Sequence, residues 1–301
     1  MPKQKQKTTT QLRGPKRSVG YLVLPALCLS ALAVFLPMLL TIIVSFTDWN
    51  GVANLKELNF IGLRNFTEIF ADEVFIKAFV NNVLWTTIYL SIPVCIALFA
   101  AVLLLGRKNA RIAYQILFLI PYVLAPAINA MVWLYIIFNP VSGVWGFLKK
   151  LGMNVINPLS NQSIALYTVA GIDIWHYWGY LTVVYLAALR QTPQDQIEAA
   201  QVMGCNALQI FWYVYFPNIK ATFRLMLIMI MITSFKSFDY VWLLTQGGPA
   251  HATEMLGTYA YKLSYSMFQT GKASAVSLVM GAFGLAMSSL YTALSRKEDP
   301  S

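Results

Sequence analysis

Residues 198–220, EAAQVMGCNALQIFWYVYFPNIK, interrupt a chain that is otherwise written for lipid. The stretch opens on a carboxylate, Glu198, followed by two alanines; it holds Gly204 and Pro217, and it contains no apolar run of span length. Just upstream, Thr192-Pro193-Gln194-Asp195 sets a threonine at the N-cap, a proline at the first helical position and a carboxylate at the third. These are signals of a helix start. The spacing predicts a helix through Met203 that ends or bends at Gly204, then a second, aromatic helix from Asn206 that Pro217 closes. The expected unit is a short helix-turn-helix joining two membrane spans.

The rest of the chain fixes that setting. Of 301 residues, 58% are hydrophobic and only 11% charged, where soluble domains carry about 25% charged residues. Apolar stretches of about 20 residues, enough to cross a bilayer at ~1.5 Å rise per residue, recur along it. An all-α polytopic membrane protein follows, with six transmembrane helices expected at 19–46, 79–105, 112–138, 164–189, 225–245 and 273–294. Residues 1–18 and 296–301 read as tails, the first disordered, around a six-span domain of residues 19–295 whose largest loop on the tail side covers about 190–221.

The net charge of +10 does not point to nucleic acid, because the basic residues sit in tails and short loops rather than among aromatics on a polar face. Their placement is topological. Fourteen Lys and Arg residues fall on the side of the tails and of the 190–221 loop, and seven on the other, so both termini are expected to be cytoplasmic. The first apolar run is longer than a signal core and lacks a clear cleavage site, and so reads as an uncleaved anchor. Cys28, Cys95 and Cys205 form no metal or disulfide pattern. The loop after the first span, with Asp48, Glu57, Glu68, Asp72 and Glu73, either folds over the outer mouth or is solvated, and its individual charges read as solvated. No GxxxxGK[ST] is present, so this chain has no phosphate-cradling loop of that kind. No HExxH or GxSxG is present either, and the chain has two histidines; no catalytic and no metal site is expected.

Taken as residues alone, the 190–221 segment could be an interfacial amphipathic pair with Trp212, Tyr213 and Tyr215 at the headgroups. The surface made by Glu198, Ala199, Ala200 and Gly204 reads otherwise: small residues admit another backbone, and a carboxylate offers a guanidinium a directional partner. The pattern Glu198-Ala199-Ala200, three residues, Gly204, then Pro217 resembles the cytoplasmic EAA loop of the membrane subunits of binding-protein-dependent ABC importers. The stretches SFTDWN, GLRNF, FLIPYVLAPAINAMVW, IWHYWGY, AALRQTP and LLTQGGPAHATE are similar to the carbohydrate-type permeases of that superfamily, the maltose and glycerol-phosphate relatives. The likeness covers nearly everything after residue 18. Met203-Gly204-Cys205 departs from the family's frequent Asp-Gly-Ala, and keeps the glycine.

The resemblance implies the type I ABC importer permease fold in a bacterial or archaeal cell (inner) membrane, with the first helix of the segment as a coupling helix docked on an ATP-binding subunit. It also implies partners: a second, homologous permease, a dimer of ATP-binding cassette subunits that carry the ATP and magnesium, and an extracytoplasmic solute-binding protein. This chain would hold no cofactor, and its solute would be an oligosaccharide, polyol or glycerol derivative.

Ionisable groups at membrane depth are functional candidates. Lys236 and Asp239, three apart in the fifth expected span, would share a helical face and neutralise each other; Asp173 with His176 in the fourth reads as structural rather than as a proton relay. For sugar recognition by aromatic faces and hydroxyl or amide groups, the solute-path candidates are Asn129, Trp133, Trp175, Trp178, Thr182, Ser234 and Ser237 with Lys236 and Asp239. The other reading is a gradient-driven secondary transporter, which predicts internal repeats and midplane carboxylates in broken helices; no clear repeat is present.

Overall fold

In the computed structural model, residues 18–54, 58–107 and 110–296 are described. The tail expected over residues 1–18 lies outside them except for Ser18, as does the closing tail beyond Arg296. Among the described residues every regular element is helical, with one isolated antiparallel bridge between Thr47 and Phe60.

Helix α1 covers residues 18–45 with one π turn at Ala31–Phe35, and exposes nearly all of its apolar surface. Its last turn is held by Asn65 of the short helix α2, Arg64–Phe70, whose Nδ2 donates to the carbonyls of Ser45 and Thr47 at 2.8 Å each. Helix α3, Glu73–Leu105, starts six residues before the expected span because Asp72 caps it, accepting from the Val74 amide at 2.8 Å. The same carboxylate accepts from the Tyr259 hydroxyl.

The expected third span is not one helix. It divides into α4, Arg111–Val123, and α5, Pro126–Ile137, bent by 87°. Pro126 disfavours helical geometry at the residue before it, and Leu124 and Ala125 are accordingly extended, with ψ of 134° and 141°. Helix α6, Val144–Lys150, follows; α7, Ala165–Leu189, matches its expected span closely. Where α7 meets α4, a Cβ built on Gly179 would lie 1.8 Å from the Phe118 carbonyl oxygen, so only glycine permits this approach.

Helix α8, Gln194–Val202, is the short segment helix, and α9, Ala207–Phe235, is a single 29-residue helix. Pro217 therefore does not close a second short helix. A π turn at Phe211–Tyr215 precedes it, and the Asn218 Nδ2 supplies the Val214 carbonyl with a donor at 2.7 Å, so the helix passes through. The expected fifth span also ends early. Three non-helical residues, 236–238, separate α9 from α10, Asp239–Leu244. Asn82 of α3 explains the stop: its Nδ2 donates to the Phe235 carbonyl at 2.9 Å, while its Oδ1 accepts from the Leu256 amide at 2.8 Å. That residue opens α11, residues 256–266, and α12, Thr270–Arg296, completes the bundle.

By length and composition α1, α3, α9 and α12 can cross a membrane, and α4 with α5 passes as a broken fifth. Helix α7, at the fourth expected span, is long enough at 25 residues but not apolar enough to pass by the same measure; it packs along α3, α4 and α9, which lets it carry Asp173 and His176. The main core, from Trp85 and Tyr89 through Leu181, Tyr185 and Ile230 to Val241, lies around α7; a second core around Phe75, Phe235, Leu256 and Val276 joins α3, α11 and α12 at the end of the bundle away from α8.

Candidate functional site

Helix α8 projects from one end of the bundle. Thr192 does not cap it: its hydroxyl is buried without a partner, and Pro193, in extended geometry, occupies the cap position. The other end is closed fully. Gly204 takes φ +79°, its amide donates to Gln201 and the Cys205 amide to Ala200, both at 3.0 Å, which is the two-bond glycine stop. The next helix then opens with a reciprocal cap, Gln209 amide to Asn206 Oδ1 at 2.9 Å and Asn206 amide to Gln209 Oε1 at 2.8 Å, as Asn206 led us to expect.

Glu198, Ala199 and Gly204 are exposed, whereas Ala200 and Ile197 turn into the protein. Glu198 accepts from Gln194 Nε2 at 3.2 Å. A Cβ at Gly204 would meet nothing within 4 Å. At the tip stand Val202, 89% exposed, and Met203, 82% exposed; neither was among the sequence candidates, although both lie inside the quoted stretch. The helix is tied back to the bundle by Asn218 of α9, whose Nδ2 donates to Gln196 Oε1 at 2.9 Å.

The second site is a cavity of about 420 Å³ where the two helix breaks face α3 and α7. Ser234, Lys236, Ser237 and Asp239 line it from the α9–α10 break, and Asp173, His176 and Tyr177 from α7. Trp85 and Tyr89 of α3 and Tyr122 of α4 complete it, with Tyr240 behind the break. Among the described residues no ion pair joins Lys236 to Asp239, because the break removes the common helical face that their spacing implied. His176 donates from Nε2 to the Leu124 carbonyl at 3.2 Å, so the ring occupies the acceptor that the α4–α5 bend sets free.

The remaining sequence candidates lie outside this lining. Asn129 is fully buried and donates to the Tyr240 hydroxyl at 2.7 Å, joining α5 to α10. Trp133 and Trp175 pack edge to face at 5.7 Å, Trp178 packs on Phe118 at 4.7 Å, and Thr182 donates to the Trp178 carbonyl within α7. Sequence reasoning omitted Trp85, Tyr89, Tyr122 and Tyr177, which look like ordinary packing aromatics until the breaks open a space beside them.

A further polar cluster lies at the end away from α8. Glu254, fully buried, is held by Lys262 Nζ at 2.5 Å, His251 Nδ1 at 2.9 Å and Thr258 Oγ1 at 2.8 Å. Asn81 of α3 donates to the carbonyls of Ala252 and Glu254 at 3.1 and 2.9 Å. Gly247 stands at φ +84° with room for no Cβ, which would lie 2.4 Å from the Glu254 carboxylate. The Gly-Gly-Pro stretch is thus a rigid turn wrapped on a buried acid. Of the loop acids after α1, Asp48 is exposed and accepts from Asn59, and the partly exposed Glu68 pairs with Arg64 and Lys272, both at 2.7 Å.

Apolar helices broken around a polar cavity, with a short helix projecting from one end, are features of a membrane transport protein. The chain belongs to the family of binding-protein-dependent transport system inner membrane components, whose pattern matches residues 68–299. A probable ABC transporter permease of Pyrococcus horikoshii is 28% identical over 92% of this chain and 95% of its own length. The trehalose/maltose transport system permease MalF of Thermococcus litoralis is 27% identical over 96% and 97%. The fold is shared with a bacterial ABC transporter involved in the import of the acidic polysaccharide alginate, at a TM-score of 0.82 and 21% identity over 93% of this chain and 95% of that one. A bacterial alginate ABC transporter in complex with an alginate pentasaccharide-bound periplasmic protein matches equally, at a TM-score of 0.82 and 21% identity over 94% of this chain and 95% of that one. The type I importer permease fold expected from the sequence is the fold observed.

Proposed function

We propose that this chain is one of two permease subunits of an ATP-driven, binding-protein-dependent importer of a sugar or sugar-related solute. Each relative supports part of that reading, MalF through its solutes and the alginate transporter through its periplasmic partner. The observation that carries it is mechanical. Helix α8 is stiff, ended by a two-bond glycine stop, exposed at Glu198, Val202 and Met203, and bonded through Gln196 to Asn218 of α9. Helix α9 then runs unbroken to Phe235, where the Lys236–Asp239 break lines the cavity. A displacement of α8 therefore reaches the cavity wall through one rigid element about 43 Å long.

In this reading α8 seats in a cleft of an ATP-binding cassette subunit, with Glu198 paired to a basic residue there while Ala199 and Gly204 admit close packing. ATP and magnesium belong to that subunit. Closure of the ATPase pair moves the coupling helices of the two permeases, and the cavity alternates between the two sides while the solute-binding protein opens on the outer mouth. The excess of basic residues on the side of α8 supports a cytoplasmic position for α8 and both termini.

The test is Glu198→Ala and Gly204→Trp in the assembled importer. Glu198 is exposed and packs against nothing in the bundle, so Glu198→Ala is expected to insert normally and reads docking alone; Gly204→Trp adds bulk to the same surface but also strains the helix stop at φ +79°, so it supports the first variant rather than standing by itself. Uptake is expected to fall about tenfold or more, the loss of roughly 1.4 kcal/mol of coupling, while ATP hydrolysis continues. Unchanged uptake in both overturns the docking assignment.

A further inference from the structure

The turn between α3 and α4, residues 106–111, reads GRKNAR, with three basic residues in six positions. The chain holds no Asp or Glu between Glu73 and Asp173, so neither helix brings a carboxylate to this end. Arg107 is exposed just past the end of α3, and Arg111 opens α4. Among the described residues neither arginine forms an ion pair.

Below the turn the two helices part around a cavity of about 250 Å³. Ala100, Leu103 and Leu104 line it from α3, Tyr114 and Phe118 from α4, and Arg107 stands at its rim. Leu103 is 57% exposed and Tyr114 42%, so the cavity is a groove open along the sides of the helices. Ala100 precedes Arg107 by seven residues, about 10 Å of helix. Since α3 is long and apolar enough to cross a membrane, the rim lies at headgroup level and the floor at the depth of the first acyl methylenes.

The groove therefore matches an amphipathic occupant. At the rim, the guanidinium fits a phosphodiester in both charge and donor geometry, and the Tyr114 phenol adds a donor. Below it the walls are apolar. A soluble protein does not reach this depth. A second permease that follows the same charge rule would bring its own basic residues against the turn, whereas an anionic leaflet brings the opposite sign.

We infer that the α3–α4 groove is a binding site for an anionic phospholipid, with the phosphate on Arg107 and the Tyr114 hydroxyl, Arg111 one turn away adding to the field, and an acyl chain along Ala100, Leu103 and Phe118. The Phe118 ring also packs on Trp178 at 4.7 Å, and its carbonyl oxygen faces Gly179, so the bound lipid backs the contact of α4 with α7. The inference goes beyond the importer reading and does not depend on it, because a bilayer surrounds α3 and α4 in a transporter of any kind.

The experiment places a photo-cross-linking amino acid at Leu103 of the full-length protein with its native subunits, in nanodiscs of equimolar phosphatidylglycerol and phosphatidylcholine, and identifies the adducts by mass spectrometry. Phosphatidylglycerol adducts are expected to exceed phosphatidylcholine adducts about fivefold, the factor that one basic residue near an anionic surface is worth. The same probe at Ile116, an exposed α4 residue outside the lining, takes both lipids equally. Arg107→Gln brings the Leu103 ratio toward one, whereas Lys149→Gln with Lys150→Gln, which removes two exposed charges from α6, leaves it unchanged. Millimolar glycerol 3-phosphate does not compete. Equal capture of both lipids at Leu103, the same excess at Ile116, an excess indifferent to Arg107→Gln, displacement by glycerol 3-phosphate, an adduct to another protein, or no adduct at Leu103 overturns the inference. A failed importer reading shows separately, as normal uptake in Glu198→Ala.

Discussion

Glu68 shows how a single side chain can staple two distant parts of this chain. Its carboxylate bridges Arg64, four residues earlier on α2, and Lys272 in the first turn of α12. Hydrogen bonds from Lys272, then Arg64, hold its pKa below the ordinary value of 4.5. A depressed carboxylate pKa contributes stability that is present above the unfolded value and lost as pH falls through the folded one. The protein in detergent is therefore expected to lose thermal stability as pH drops below about 4.5, and Lys272→Met should flatten that decline. The side chain is a third exposed, so solvent screening keeps the effect small. An unchanged slope in the variant would show that the bridge adds nothing. Residues of this kind were the least legible in the sequence. Asn65, Asn81, Asn82 and Glu254 are ordinary polar letters, and each acquires its role from a backbone group 18 to 174 positions away or from a turn that folds onto it.

At the scale of elements, hydropathy located the helices and failed at their interruptions. The runs of α1, α3, α7 and α12 were readable because burial in lipid or in protein demands the same apolar letters. The α4–α5 bend and the α9–α10 break were not, since the residues there remain apolar or aromatic on either side. Pro121 and Pro126 both stand in the third apolar run, and only Pro126 marks the bend; Pro121 remains inside α4. Conversely Pro217, read as a stop, is carried through by a π turn and Asn218. The 190–221 segment was legible in part: its glycine stop and the Asn206 cap follow local rules, whereas the side to which Ala200 turns depends on packing against the bundle. The contact of α4 with α7 offers a direct test. Gly179→Ala puts a methyl 1.8 Å from the Phe118 carbonyl oxygen, and forcing the helices apart is expected to cost about 1–3 kcal/mol. Thermal melting of the purified protein reads this as a lower midpoint, and a midpoint equal to wild type would show that the two backbones are not held in contact.

Under the proposed function the whole molecule would act as a lever, loaded at one end and with the cavity at the other. Helices α8 and α9 form the lever, α3 and α7 its fulcrum, and the Glu254 turn with its Asn81 and Lys262 contacts the fixed end beyond the cavity. The breaks in two spans meet at the same cavity, in keeping with the rule that irregular backbone is tolerated at membrane depth only where it is buried or lines a polar space. The central claim is that an ATPase pushes on the tip of α8. Incorporation of a photo-cross-linking amino acid at Met203, the 82% exposed tip residue, followed by irradiation of native membranes and mass spectrometry of the adduct, tests it most directly. The account predicts one dominant adduct, to a P-loop ATPase, which disappears when Gly204 is also replaced by Trp. Adducts to lipid alone, or to a protein without a nucleotide-binding loop, would contradict it.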